Sequence, residues 1–313
     1  MLAPSKMSGQ SGTMQTFDIP GRIKCGTIAT PDIAASLADY TGVIGLSIIE
    51  DAPVSADLAT AWGAPALAGR RSVLLRHADG RPFFLRLVET SPIPYQPLRS
   101  FGWAAYEHTV ANCDALFADI KGSAFTVIGE PKLVPGFDNF IPFQVVGRAG
   151  EALYLNQVLK SGMTDLDLPH TNARVDEMFI AILAAPDRAA AVAFHCDALG
   201  FAEGDTWSIP YSVINNSFGL PDDTITDMTM TKQGRLPGSE IDQYPAAATP
   251  RDMVPGELPP GNAMVTFITA SLDAVKAPFL ATPVRRDGAL YAGRRTAVVR
   301  GTAGELIELI EAA

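Results

Sequence analysis

The chain has 313 residues, enough for about two domains of ordinary size, and its 47% hydrophobic and 19% charged residues describe a folded protein rather than a disordered one. A net charge of −10 with no basic run argues against a nucleic-acid partner, which would draw on a positive surface. Cys25, Cys113 and Cys196 are scattered with no C-x-x-C pair, which suits a reducing compartment, and the most apolar stretch is cut by Pro186, Asp187 and Arg188, too short to span a membrane.

From the N-terminus, residues 1–19 read as a tail: the first sixteen are small and polar and lack the apolar core of a signal peptide, so a cytoplasmic protein is expected. Then comes CGTIATPDIAASLADYTGVIGLSII, an alternating apolar segment leading through Pro31-Asp32 into a helix that ends near Gly45. The segment FIAILAAPDRAAAVAFHCDALGF repeats this plan, with Pro186-Asp187 opening a helix and Gly200 closing it at the same spacing. In both, the Asp can accept orphan N–H bonds of the first turn and the Gly suits the left-handed residue past the end.

NCDALFADI at 112–120 answers to SLDAVKAPF at 271–279, and both are expected to be helical after a strand. A turn glycine followed by a strand recurs in DGRPFFLRL from Asp79, AGEALYLNQ from Ala149, PGSEIDQYP from Pro237 and AGELIELIE from Ala303. Offsets of about 154 to 159 residues between matching positions mark a duplication of a duplication: four βαβββ units. The expected layout is a tail (1–19), an N-terminal domain (20–158), a polar linker (159–173) and a C-terminal domain (174–313). A Pro-rich stretch at 244–261 reads either as a binding loop or as a passive excursion.

The helix punctuation D-x6-[FD]-[YH]-x4-G and the repeated closing strands resemble the vicinal oxygen chelate superfamily, which includes glyoxalases, bleomycin-resistance proteins and ring-cleaving dioxygenases. The resemblance runs over about 20–312 and implies an α+β fold, in which units pair to curl eight strands into a cup. It also implies a small-molecule ligand and a divalent metal held by His, Gln or Glu on first and last strands; a homo-oligomer is compatible with it. Carried across position by position, the first-half cup positions are Cys25, Phe84, Ala105 and Tyr154, a poor set for a divalent ion. The second-half positions are Ile180, Asp242, Met264 and Glu308. Pairing of the last two units would bring Asp242 and Glu308 into one C-terminal cup, to hold a divalent ion or to supply a general base.

Trp207, Tyr211 and Asn215 alternate where cup-facing residues are expected, and with Met264 and Arg235 they complete a candidate substrate-binding set for an oxygenated or aromatic compound. His77 reads as a surface residue, His108 as packed away from the cup, His170 as linker and His195 as helix packing. G-x-S-x-G, G-x-G-x-x-G and G-x4-G-K-[ST] are absent, which removes the common hydrolase and nucleotide-binding readings. Two functions follow: an enzyme of lyase, isomerase or dioxygenase type with a degraded metal-ligand set, or a metal-free binding protein of bleomycin-resistance type.

Overall fold

The structure is a computed structural model and describes residues 17–77, 82–133, 139–159 and 166–313; most of the expected tail and the start of the expected linker lie outside the described residues. The first unit comprises β1 (Ile23–Thr30), α1 (Ile33–Asp39), β2 (Ser47–Pro53), α2 (Ala56–Ala61), β3 (Arg71–Arg76) and β4 (Phe84–Glu89). The second has β5 (Gly102–Val110), α3 (Cys113–Ile120), β6 (Thr126–Gly129), β7 (Phe140–Val146) and β8 (Ala152–Val158). In the third come β9 (Val175–Ala185), α4 (Arg188–Leu199), β10 (Ala202–Pro210), α5 (Ser212–Phe218), β11 (Ile225–Gln233) and β12 (Leu236–Gln243). The fourth contributes β13 (Gly261–Thr269), β14 (Val284–Arg286), β15 (Arg294–Arg300) and β16 (Leu306–Glu311).

The punctuation seen in the sequence is what sets the helices. Asp32 and Asp187 accept from Ala35 N and Ala190 N, each 3.0 Å, and Gly45 and Gly200 sit at φ 87° and 81°. In the first case the helix ends through one π turn at Tyr40–Ile44. Asn112 caps α3 in the same way. The matching segment at 271–279 is not helical beyond a 3₁₀ turn at Leu272–Ala274. Val275 is extended there and Pro278, which has no N–H, follows closely.

The four units form two eight-stranded mixed sheets, but not by halves. One sheet runs β14-β15-β16-β13-β1-β4-β3-β2, joining the two outer units; the other runs β10-β11-β12-β9-β5-β8-β7-β6, joining the two inner ones. At each centre two first strands pair antiparallel, β1 with β13 and β5 with β9. The ranges 20–158 and 174–313 therefore describe the sequence repeat, whereas each sheet takes one unit from each range. Both central pairs are buried along nearly their whole length, as strands covered on two faces must be.

The largest apolar core includes Ile28, Leu87, Trp103, Tyr106 and Phe267, and it joins the backs of the two sheets and the helices. Tyr106 Oη lies 2.7 Å from Thr27 O and 2.9 Å from Met264 O, and Trp103 Nε1 donates to Leu306 O at 2.8 Å, so inner-sheet side chains satisfy carbonyls of the outer sheet. A Cβ at position 26 would stand 2.9 Å from the Tyr106 ring, which explains the glycine in β1.

The Pro-rich stretch at 244–261 is the return crossover from inner to outer sheet. Thr249 bridges Ser100 on the outward crossover, and Arg251 donates to Trp103 O and Asn262 O, each at 2.9 Å. These contacts tie the crossover to both sheets.

Candidate functional site

The pairing of units decides which polar side chains meet. Asp242 on β12 belongs to the inner sheet and Glu308 on β16 to the outer one, so the expected pair in one C-terminal cup does not form. Each acid instead has partners that lie one pleat repeat from the positions marked in sequence, because side chains two apart share a face.

In the inner cup, Glu107 stands two residues beyond Ala105 and Glu240 two before Asp242. The registers place Tyr154, Glu107 and Ile180 in one row and Ala105, Ile182 and Glu240 in the next. Asn156 Nδ2 donates to Glu107 Oε2 at 2.9 Å, and Tyr211 OH donates to Glu240 Oε1 at 3.3 Å. Tyr154 is hydrogen-bonded to Tyr211. Burial first, and then the neighbouring carboxylates, push Asp242 and Glu107 well above the carboxylate range.

Glu240 is raised to about 7 by burial, against the hydrogen bonds from Tyr211 and Asp242. Asp242 is wholly buried and finds no fixed donor for either oxygen; its hydrogen-bonding neighbour is the Glu240 carboxyl. Burial of both carboxyls favours their protonated forms. Glu107 and Glu240 keep 9% and 8% of their surface exposed, so water reaches the outer members of the group.

In the outer cup the chemistry is opposite. Glu308 accepts from Trp62 Nε1 (3.0 Å), Tyr291 OH (2.8 Å), Thr266 Oγ1 (2.7 Å) and Arg86 Nη2 (3.0 Å). Burial alone would raise its pKa, but Arg86 and then the three neutral donors hold it below the ordinary value. Arg86 is also fixed by Thr27 Oγ1 (3.1 Å from Nε) and Tyr291 Oη (2.7 Å from Nη1), with its guanidinium 4.4 Å from the Trp62 ring centroid. Cys25 lies in this cup, its thiol pushed up to about 12 by burial, and so remains protonated.

The remaining expected residues scatter. Tyr154 belongs to the inner cup with Tyr211, while Met264 is buried in the outer sheet. Trp207 packs at the margin of the inner cluster. Asn215 donates to Asp222 O and Thr224 O and so ties the turn after α5 to the helix. Arg235 is exposed and pairs with Asp167 at 2.8 Å, which removes it from the cup because both charges lie at the surface. His77, expected at the surface, is buried, and His195 is enclosed with its Nε2 3.5 Å from Glu305 Oε1. Glu107, Glu240, Arg86, Tyr291 and Trp62 were not singled out from sequence; the alternation Glu240-Ile241-Asp242 was the one local sign, since it puts two acids on one face.

The fold is that of the vicinal oxygen chelate proteins. Among solved structures, glyoxalase I from Zea mays is 14% identical with a TM-score of 0.61, covering 93% of this chain and 92% of that one. A Bacillus subtilis subsp. subtilis str. 168 protein provisionally named a dioxygenase is 9% identical with a TM-score of 0.62, over 94% of this chain and 86% of the other. No family model and no curated protein matches the sequence. At such identity the likeness defines the fold. No helix among the described residues is long and apolar enough to cross a membrane.

The divalent ion that the fold implies does not fit either cup. In the outer one, four donors saturate the Glu308 oxygens and a guanidinium supplies the positive charge. In the inner one, the oxygen donors would suit a hard cation, but no three His, Cys, Asp or Glu among the described residues are grouped to hold one.

Proposed function

We propose that this protein is an enzyme that moves a proton on a small oxygenated compound, working in the inner cup with Glu240 as the acid–base group. The observation that carries this reading is the buried Glu240 carboxyl, poised near 7 beside Asp242 and still in contact with water. A general base works best with a pKa near the operating pH, and raised carboxyls of this kind cluster at functional sites. Glu240 would accept a proton from the carbon next to a carbonyl, with the electron pair moving onto the carbonyl oxygen. Tyr211, whose phenol burial keeps protonated, would turn its single O–H from Glu240 to that oxygen. Asp242, retaining its proton, would hold Glu240 in place.

The test is deuterium incorporation into small 2-oxo acids and ketones, followed by NMR in heavy water. The expected result is exchange above buffer for at least one probe, falling about 100-fold or more in Glu240→Gln. Exchange that never exceeds buffer, or that survives the substitution, overturns the proposal. The apolar floor of Ala105, Ile180 and Ile182 favours a second reading, a binding protein without chemistry. It predicts a retained ligand whose affinity is the same in Glu240→Gln.

A further inference from the structure

The outer cup contains a feature that the proton-transfer reading does not use. A cavity of about 340 Å³ opens between the two edge strands of the outer sheet, β2 and β14, and runs inward to Arg86 and Tyr291. That volume is within the range of small-molecule sites. Its walls are mixed, with Leu58, Leu74 and Leu290 supplying apolar surface among polar and charged side chains.

The polar groups of this cavity are ordered by depth. The acids on its lining, Glu50, Asp57 and Asp287, are exposed at the mouth, whereas Arg86 and Tyr291 are buried at the inner end. Two of the acids are already engaged: Glu50 accepts from Ala289 N and Asp57 pairs with Arg286. Arg286 also lines the cavity. Its side chain is 9% exposed, and although its two terminal nitrogens are bound to Asp57, its Nε is buried with no partner. A buried N–H without an acceptor is costly, and a ligand oxygen would satisfy it. Arg86 adds to this: of its five N–H groups four are directed to Thr27, Tyr291 and Glu308, and the second proton on Nη1 has no acceptor among the described residues.

We propose that the outer cup is a second ligand site, for a small monocarboxylate with an apolar body. The body lies against Leu58, Leu74 and Leu290, and the carboxylate accepts from the unpartnered Arg286 Nε–H and the donors at the inner end. A carboxylate fits better than a cation, because the buried unpartnered donor on the lining is an arginine N–H. No metal takes part, since Arg86 already balances Glu308.

The test is calorimetric titration of the full-length protein with benzoate and hexanoate, against benzyl alcohol and hexylamine. The expected result is that the carboxylates bind at least tenfold more tightly than the alcohol or amine of similar size. Arg286→Gln should bring them down to the level of the alcohol, Leu58→Trp should abolish binding by filling the cavity, and Glu240→Gln in the other cup should leave it unchanged. Circular dichroism would establish that each variant is folded; Arg286 is on an edge strand, so its replacement leaves the core intact. Equal binding of alcohol and carboxylate, no carboxylate binding, indifference to Arg286→Gln, or loss of binding in Glu240→Gln would each overturn the proposal. Failure of the inner-cup reading would show in deuterium exchange alone.

Discussion

Arg86 and Glu308, 222 residues apart on the last strands of the first and fourth units, form a buried ion pair of 3.0 Å in the outer cup. Burial works against the Arg86 charge, yet Glu308 and Tyr291 hold its pKa above the ordinary value. The pair is closed on every side by groups that satisfy it, so removing one partner leaves an uncompensated buried charge.

Arg86→Met or Glu308→Gln should therefore destabilise the protein by about 3–5 kcal/mol in urea unfolding, while the double apolar replacement Arg86→Met with Glu308→Leu should cost less than either single change. Additive losses in the double variant would show that the two residues are not coupled. Because the Glu308 pKa is lowered in the folded state, its contribution is present above the unfolded value near 4.5 and is lost as the pH falls through the folded one.

The inner cup predicts the opposite pH dependence. Glu240 is raised from 4.5 to about 7, so the unfolded chain releases its proton first; the stability it contributes at low pH is lost as pH rises through that window. Glu107 and Asp242 shift in the same direction. Urea midpoints measured from pH 4.5 to 8 should fall with pH, and less steeply in Glu240→Gln. Part of the slope should remain, because burial also raises Glu151 to about 7. An unchanged slope in the variant would refute the assignment to Glu240.

Tyr40 and His195 occupy equivalent places in the two D-x6-[FD]-[YH]-x4-G segments, and each meets the glutamate of an AGE turn. Tyr40 OH donates to Glu151 Oε1 at 2.9 Å, and His195 Nε2 stands 3.5 Å from Glu305 Oε1. Tyr40→Phe leaves Glu151 short of one donor and should cost about 1–3 kcal/mol. His195→Phe should cost less, because its contact is longer than a hydrogen bond. Thermal unfolding of the two variants side by side decides the order.

Gly26→Ala places a methyl 2.9 Å from the Tyr106 ring and must push the two sheets apart locally. A loss of about 1–3 kcal/mol is expected from overpacking. A variant as stable as the parent would mean that the Tyr106 ring moves freely, against its two contacts with Thr27 O and Met264 O.

The helix caps at Asp32 and Asp187, the left-handed Gly45 and Gly200 and the four-unit repeat were all legible in sequence, because each is written within a few consecutive residues. The fold class followed from their recurrence. What pattern alone could not supply was the partner of each unit, since pairing of first strands is made by β1 with β13 and β5 with β9 across long stretches of chain. That choice separated Asp242 from Glu308, joined Asp242 to Glu240 and Glu107, and gave Glu308 to Arg86. The sequence by itself thus determined the four units and the caps of their helices, through local capping and recurrence. Only the tertiary structure decided which faces meet, because burial, hydrogen bonding and charge balance act between strands that are distant in the chain.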